Sequence, residues 1–281
     1  SMTSLTRYFR SSLDYVKRCF PWQVFLILIV IGLISIWMYY VPEGILGKAD
    51  AVGYAVCHRI ATRSFLIGEV QFSVCARCNG QYLGAVTGIV FLSIFRPYRS
   101  GRPSWITIGL LLLWGTTYVV DGFNSFLHLI PGTERLWLYE PNNTYRLLTG
   151  MGVGVGISVL LLPAFNQTIW KRHDPRPILE GVRDFGMLLI LVAILSLIVL
   201  NGNPIVLYPL SLISASGVLI LLTMVYSMVW VMLSRAEGSF ESIKQLFFPL
   251  VVGFALTLFQ LILISAIRYS LTGTWGEIPL G

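Results

Sequence analysis

Seven apolar blocks constrain the fold of this 281-residue chain more than any other feature of its sequence. Each block is roughly 20 residues long or longer, which is the length that a helix needs to cross a bilayer core of about 30 Å. Lipid offers no partners for backbone N–H and C=O groups, so such a block must be helical when it crosses a membrane. We therefore predict an all-α integral membrane bundle with seven transmembrane helices, at residues 22–42, 76–95, 104–127, 143–164, 183–200, 204–234 and 242–270.

The composition agrees with a membrane protein. Hydrophobic residues make up 56% of the chain and charged residues 12%, about half the charged fraction of a soluble domain. The net charge of +7 does not indicate a nucleic-acid partner, because the basic residues lie in short loops between the predicted spans. We predict that the partner is membrane lipid, with a lipid-borne substrate as an option.

The basic residues also predict an orientation. Of the 20 Lys and Arg residues, most lie before the first span or in loops on the same side as it. By the positive-inside rule, the N-terminus is predicted to be cytoplasmic and the C-terminus extracytoplasmic. The residues on that side are Arg7, Arg10, Lys17, Arg18, Arg96, Arg99, Arg102, Lys171, Arg172, Arg176, Arg183, Arg235 and Lys244.

The chain reads as a single bundle with three regions. Residues 1–21 form an amphipathic cytoplasmic lead-in that suits a membrane surface. Residues 22–164 hold four spans and a Cys/His cluster, and residues 165–281 add three further spans. Residues 44–57 are apolar but too short to cross a bilayer, so we predict an interfacial or re-entrant helix in the first outer loop.

Cysteine and histidine residues in the first outer loop have the spacing of a metal site. Cys75 and Cys78 can chelate one ion from a single helical turn, and Cys57-His58 takes the place of the second ligand pair. We predict zinc or another thiophilic metal at these four residues. Adjacent side chains point in different directions, however, so Cys57 and His58 need not reach the same ion. Two alternatives are a disulfide, because the outer face is often oxidising, and inert buried thiols.

Ionisable residues inside two spans add a second polar group near the same face. Asp121 and Arg146 lie close to the outer ends of the third and fourth spans, and an ionisable residue in a span is by default a functional hypothesis. The alternative is an Asp121–Arg146 pair that only ties two helices together. We assign Asp121, Arg146 and Arg77 to catalysis, and four residues to substrate binding: Arg63, Asn79, Asn124 and Asn143.

Glycine stripes indicate how these segments meet. Small residues at every fourth position let helix backbones approach closely. Packing of the second span against the fourth through such stripes would bring Arg77, Cys75 and Cys78 near Arg146. The stripes consist of Gly80, Gly84 and Gly88 in the second span, and of Gly150, Gly152, Gly154 and Gly156 in the fourth.

The combined pattern resembles the signature of a bacterial polytopic membrane-protein family of unknown function. The resemblance covers about residues 45–160 and implies that the cysteines, Asp121 and Arg146 act as one unit, without supplying an activity. His128 lies outside the pattern. The matching residues are Cys57-His58, Arg63-Ser64-Phe65, Gly68, Val74-Cys75-Ala76-Arg77-Cys78-Asn79-Gly80, Tyr82, Gly84, Asp121-Gly122, Asn143, Arg146, Thr149 and Gly150.

Three functions fit these residues. In a zinc-dependent hydrolase or transferase, Asp121 would be the general base, and Arg77 and Arg146 would bind a lipid-borne or amphipathic anionic substrate. In a membrane thiol–disulfide oxidoreductase, Cys75 and Cys78 would react and Cys57 would resolve the product. In a transport or binding protein, a metal or disulfide would only staple the outer loop.

Overall fold

A computed structural model of the chain describes residues 22–276 and consists mainly of helices. Seven helices are long and apolar enough to cross a membrane, which confirms the predicted all-α membrane bundle. The predicted lead-in at residues 1–21 lies outside the described residues. The spanning helices are α1 (Trp22–Tyr40), α3 (Ala76–Phe95), α4 (Trp105–Leu127), α5 (Asn143–Ile169), α6 (Val182–Leu200), α7 (Pro204–Leu233) and α8 (Phe247–Thr272); α2 (Gly44–Val56) precedes α3.

Helix α2 confirms the predicted short helix of the first outer loop, and most span boundaries fall within two residues of the prediction. Helices α5 and α8 are the exceptions. Helix α5 continues to Ile169 through Pro163 instead of ending at 164. Neighbouring helices in a membrane bundle can satisfy the backbone groups that a proline frees, so Pro163 does not end the helix. Helix α8 begins at Phe247, later than predicted, because turns occupy the preceding residues.

Two pairs of short strands shape the loops at opposite ends of the bundle. Strands β1 (Leu66–Ile67) and β2 (Val70–Gln71) form an antiparallel hairpin between α2 and α3, with Leu66 opposite Gln71. Strands β3 (Arg99–Gly101) and β4 (Asp174–Pro177) pair in parallel at the other end. These strands are only two to four residues long, so the sequence gives no pattern that predicts them.

Helices α3 and α5 form the centre of the bundle, and their glycines let the two backbones pack closely. A Cβ atom on Gly80 would overlap the backbone of Leu147, and one on Gly154 would overlap the backbone of Gln81. This close approach confirms the predicted packing of the second span against the fourth. Gly152 departs from the prediction, because it faces the Trp114 ring of α4 instead of α3.

The end of the bundle opposite α2 is held by ion pairs. Arg96 at the end of α3 donates to Asp184 of α6 over 2.7 Å, and Arg99 donates to Glu180 over 2.8 Å. Each buried or half-buried arginine here has a carboxylate partner, so the role of these ion pairs is to hold neighbouring elements together.

Candidate metal and anion site

Cys57, Cys75 and Cys78 meet where α2 ends and α3 begins. Cys57 follows the last residue of α2 in extended conformation, and Cys75 caps the N-terminus of α3. The Cys75 backbone N–H donates to the Cys57 sulfur over 3.2 Å, and the Arg59 N–H donates to the same sulfur over 3.4 Å. Arg59 has a left-handed φ of 54°, and the chain therefore turns sharply after His58. This turn keeps the Cys57–His58 pair beside the start of α3.

Ligand atoms of Cys57, His58 and Cys75 all lie within 4.8 Å of one another. The Cys57 sulfur and the His58 Nδ1 are 4.0 Å apart, so these adjacent side chains do converge. Ligands of a tetrahedral zinc ion lie roughly 3.5 Å from one another, given Zn–S and Zn–N bonds of about 2.3 and 2.0 Å. A small contraction of this trio would therefore suit such an ion.

Cys78, the fourth predicted ligand, lies one turn into α3 and is half-buried. Its thiol hydrogen-bonds with those of Cys57 and Cys75. Its sulfur is not among the three mutually close ligand atoms. The structure therefore brings three of the four predicted ligands together, and the fourth, Cys78, lies beside them. Among the described residues, all three cysteines are free thiols.

Hydrogen bonding gives these thiols different pKa values, so they do not lose their protons equally readily. Bonds from the Cys57 and Cys78 thiols lower the pKa of Cys75 well below its usual value, whereas the bond with Cys75 raises the pKa of Cys57 to about 11. Burial lowers the pKa of His58; the nearby Cys75 opposes this effect, and three arginine charges add to it. A Cys75 thiolate beside a neutral imidazole is the donor set that zinc prefers.

Asp121 is buried and held by two donors from other elements. Arg77 of α3 forms an ion pair with its Oδ2 atom, and the Tyr139 hydroxyl donates to its Oδ1 atom over 2.8 Å. Burial, followed by this bond to Asp121, raises the pKa of Tyr139 to about 12, so the phenol stays protonated at neutral pH. The ion pair between Asp121 and Arg146 that the sequence suggested does not form. Asp121 pairs with Arg77 instead, because Arg77 faces α4 from the first turn of α3.

Arg63 and Arg146 are buried beside this pair and make no ion pair with any described residue. The Arg63 Nη2 donates to the Ser125 carbonyl over 2.7 Å, and the Arg146 Nη1 donates to the Asn143 Oδ1 over 2.9 Å. The Nε atom of Arg146 is buried without a hydrogen-bond partner. Burial lowers the pKa of Arg63, and the charge of Arg77 lowers it further, which shows how close these cations lie.

The three asparagines assigned to substrate binding all have protein partners. Asn124 donates to the Tyr139 carbonyl over 2.8 Å and accepts from the Leu138 N–H, so its amide holds the loop that carries Tyr139. Asn143 donates to the Ser64 carbonyl over 3.2 Å, which ties α5 to the residue after Arg63. Asn79 is fully buried, and its Oδ1 accepts from Ser214 of α7 over 2.7 Å.

Several residues of the site were not among the predicted ones. Tyr139 lies in the irregular loop before α5, where no periodic pattern singles it out. Ser125 lies one turn after Asp121 and accepts from Arg77 over 3.0 Å; its helical spacing from Asp121 is a usable signal. Arg268 of α8 donates to the carbonyl oxygens of Cys57 and His58, over 2.6 and 3.2 Å, from the far end of the sequence.

The fold and the site define a class, namely a multi-pass helical membrane protein with a cysteine–histidine cluster at the end where α3 and α5 begin. The chain belongs to the DUF2085 family of predicted membrane proteins, whose model matches residues 57–160. That match covers α3, α4 and α5 as far as residue 160, and every cluster residue named above except Arg268 and Ser214.

Two relatives support this assignment. An uncharacterized protein of Methanothermobacter thermautotrophicus is 35% identical over 105 residues, which are 37% of this chain and 83% of that protein. An uncharacterized protein of Methanocaldococcus jannaschii is 29% identical over 125 residues, which are 43% of this chain and 71% of that protein. Both relatives are archaeal, so the family is not confined to bacteria, as the resemblance implied. No solved structure matches the chain.

Proposed function

We propose that the chain is a membrane metalloprotein that binds zinc through Cys57, His58 and Cys75, with Cys78 beside them. The observation that carries this proposal is the convergence of three ligand atoms within 4.8 Å from two segments 18 positions apart. Ligands from a single helical turn are close only because they are neighbours in sequence. These three ligands come from two segments and meet only when the loop between α2 and α3 is folded. The distribution of Lys and Arg supports a position of the site at the extracytoplasmic face.

We further propose that the site acts on a lipid-borne or amphipathic anionic substrate, as a hydrolase or transferase. When bound, zinc with an open coordination position supplies Lewis-acid chemistry. Arg146 and Arg63 would hold the anionic group by charge-assisted hydrogen bonds. Both oxygens of Asp121 already accept hydrogen bonds, so its role in this scheme is to orient Arg77 more than to take a proton.

A thiol–disulfide oxidoreductase is the second candidate, and one observation favours it. The three thiols are free and mutually hydrogen-bonded, and the Cys75 pKa is lowered, as in a reactive thiol at a helix N-terminus. This function needs no metal. A closed site with four sulfur and nitrogen ligands would instead favour the third function, a transport or binding protein with a structural metal.

Metal content of the purified full chain tests the proposal. After reconstitution with zinc and removal of excess ion, mass spectrometry should find about one zinc per chain. Cys57→Ser and Cys75→Ser should lose most of it, while Cys19→Ser, the matched control at the remaining cysteine, should retain it. A wild-type chain without zinc, or a Cys75→Ser variant with full zinc content, overturns the metal site. Without zinc, Cys75 and Cys78 thiols that resist alkylation after oxidation and are alkylated after reduction would establish the oxidoreductase instead.

A further inference from the structure

We propose that Arg63 and Arg146 bind a phosphate group with two negative charges, a phosphate monoester or a diphosphate, beside the cysteine cluster. This inference rests on the proposed function and names the class of its anionic substrate. The group would be the head of a lipid or a free phosphate compound, since both present the same oxygens.

Among the buried arginines of the described chain, Arg63 and Arg146 are the two without a carboxylate partner. Four arginines have less than a tenth of their surface exposed. Arg59 pairs with Asp50 over 3.0 Å, and Arg99 pairs with Glu180 over 2.8 Å. Arg63 and Arg146 have neutral oxygen acceptors only. An unpaired buried charge is costly, so a chain that pairs two of its four buried arginines leaves the other two for an anion from outside.

The two unpaired arginines lie at one place. Asn143 accepts from Arg146 and donates to the Ser64 carbonyl, so a single side chain bridges Arg146 to the residue after Arg63. Ser125 also joins two of the cations, since its carbonyl accepts from Arg63 and its hydroxyl accepts from Arg77. The buried, unpartnered Nε atom of Arg146 supplies a donor that no described residue uses.

Charge counting selects a dianion. The charge of Arg77 is balanced by Asp121. Two thiolates and a neutral imidazole around one divalent metal ion carry no net charge, so the metal cluster does not balance Arg63 and Arg146 either. Two positive charges therefore remain beside Asp121, on Arg63 and Arg146. The Arg268 guanidinium also has no carboxylate partner among the described residues, but the carbonyl oxygens of Tyr54, Cys57 and His58 hold it. The N-termini of α3 and α5 lie at the same end and add favourable partial charge for an anion.

The chemistry of the donors favours phosphate over carboxylate. Guanidinium groups present forked N–H donors that match the tetrahedral oxygens of phosphate, and two of them can hold separate oxygen pairs. A carboxylate carries one charge and two oxygens, and it would leave one arginine unpaired. The location at the ends of two spanning helices also sets the site near headgroup depth, within reach of a lipid phosphate.

Binding to the zinc-loaded full chain tests this inference with inorganic phosphate and diphosphate as soluble probes. A second arm uses nanodiscs that contain phosphatidic acid, a phosphate monoester, or phosphatidylglycerol, a diester with one charge. We expect phosphate or diphosphate to bind, and phosphatidic acid to bind in preference to phosphatidylglycerol if the source is a lipid. Arg63→Gln and Arg146→Gln should each weaken binding by about tenfold or more, the loss of a hydrogen-bonded charged partner.

The controls separate this inference from the metal site. Arg135→Gln removes an exposed arginine of the same outer loops and should bind as the wild type does. Zinc content is measured on every sample: Arg63→Gln and Arg146→Gln should keep the metal. No binding of any phosphate probe by the wild type, or equal binding by Arg63→Gln and Arg146→Gln, overturns the inference while leaving the metal site standing. If one variant fails to fold, the other and the wild-type preference for dianions decide the question.

Discussion

At the scale of single residues, the carboxylate of Asp121 determines how the arginine cluster is arranged. It is 1% exposed and accepts from Arg77 and Tyr139, which belong to different elements. Three arginines converge on this region with one carboxylate among them, so the choice of partner decides which cations stay unpaired. Because Asp121 takes Arg77, the charges of Arg63 and Arg146 are left for another anion.

Replacing Asp121 with Asn should destabilise the fold by about 3 kcal/mol, because the half-buried Arg77 charge loses its counter-charge. Replacing Tyr139 with Phe should cost about 1 kcal/mol, since only one hydrogen bond to the carboxylate is lost. Thermal unfolding of the full chain in detergent measures both. Equal stability of the two variants would show that the carboxylate does not neutralise Arg77.

The residue types of this site can be predicted from the sequence, whereas the pairing between them cannot. Cys75 and Cys78 lie on one helical turn, so their proximity is a local property that spacing reveals. The Arg77–Asp121 pair joins residues 44 positions apart, and three arginines were available for one carboxylate. Which of them pairs depends on the rotation of α3 against α4, and no local pattern encodes that rotation.

At the scale of elements, the α3–α5 pair positions the site, because both helices begin at it and their glycines fix their distance. Gly80, Gly84, Gly150 and Gly154 each bring backbone to backbone. The stripes are visible in the sequence, which is why this packing could be predicted. The hairpin of β1 and β2 could not, since its strands of two residues leave no alternation to detect.

Replacing Gly154 with Ala should destabilise the chain by about 1–3 kcal/mol, because the new methyl group overlaps the backbone of Gln81 and Ala85. Gly115→Ala in α4 is the matched control: nothing lies within 4 Å of its Cβ position, and alanine favours a helix by up to about 1 kcal/mol. Thermal unfolding in detergent compares them. A Gly154→Ala variant as stable as Gly115→Ala would mean that α3 and α5 are not in backbone contact.

At the scale of the whole molecule, helices outside the family match support the site within it. The match ends at residue 160, whereas α7 and α8 lie beyond it. Ser211 of α7 accepts from the Ser73 N–H over 3.2 Å, and Ser214 donates to Asn79. These contacts fix the segment that leads into Cys75 and the first turn of α3. The predicted orientation, with the N-terminus in the cytoplasm, stays a prediction.

Arg268 of α8 gives the most direct link between the helices beyond the family match and the cysteine–histidine cluster. Its guanidinium lies 3.9 Å from the centre of the Tyr54 ring and donates to the carbonyls of Cys57 and His58. The last carbonyls of a helix have no partners within it. Arg268 also donates to the Tyr54 carbonyl in the last turn of α2, so it satisfies the end of the helix that both ligands follow. It therefore holds the ligand backbone without touching the ligand atoms.

Replacing Arg268 with Gln should weaken zinc binding by about tenfold or more, the usual effect of losing a residue that holds a metal ligand in place. Titration against a chromophoric chelator measures this affinity. Arg235→Gln, at an exposed arginine outside the site, should bind zinc as the wild type does. Arg268→Lys should recover part of the loss, because its ammonium group can still donate to these carbonyls. Unchanged zinc affinity in Arg268→Gln, together with a lower unfolding temperature, would confine α8 to stabilising the fold and separate it from the metal cluster.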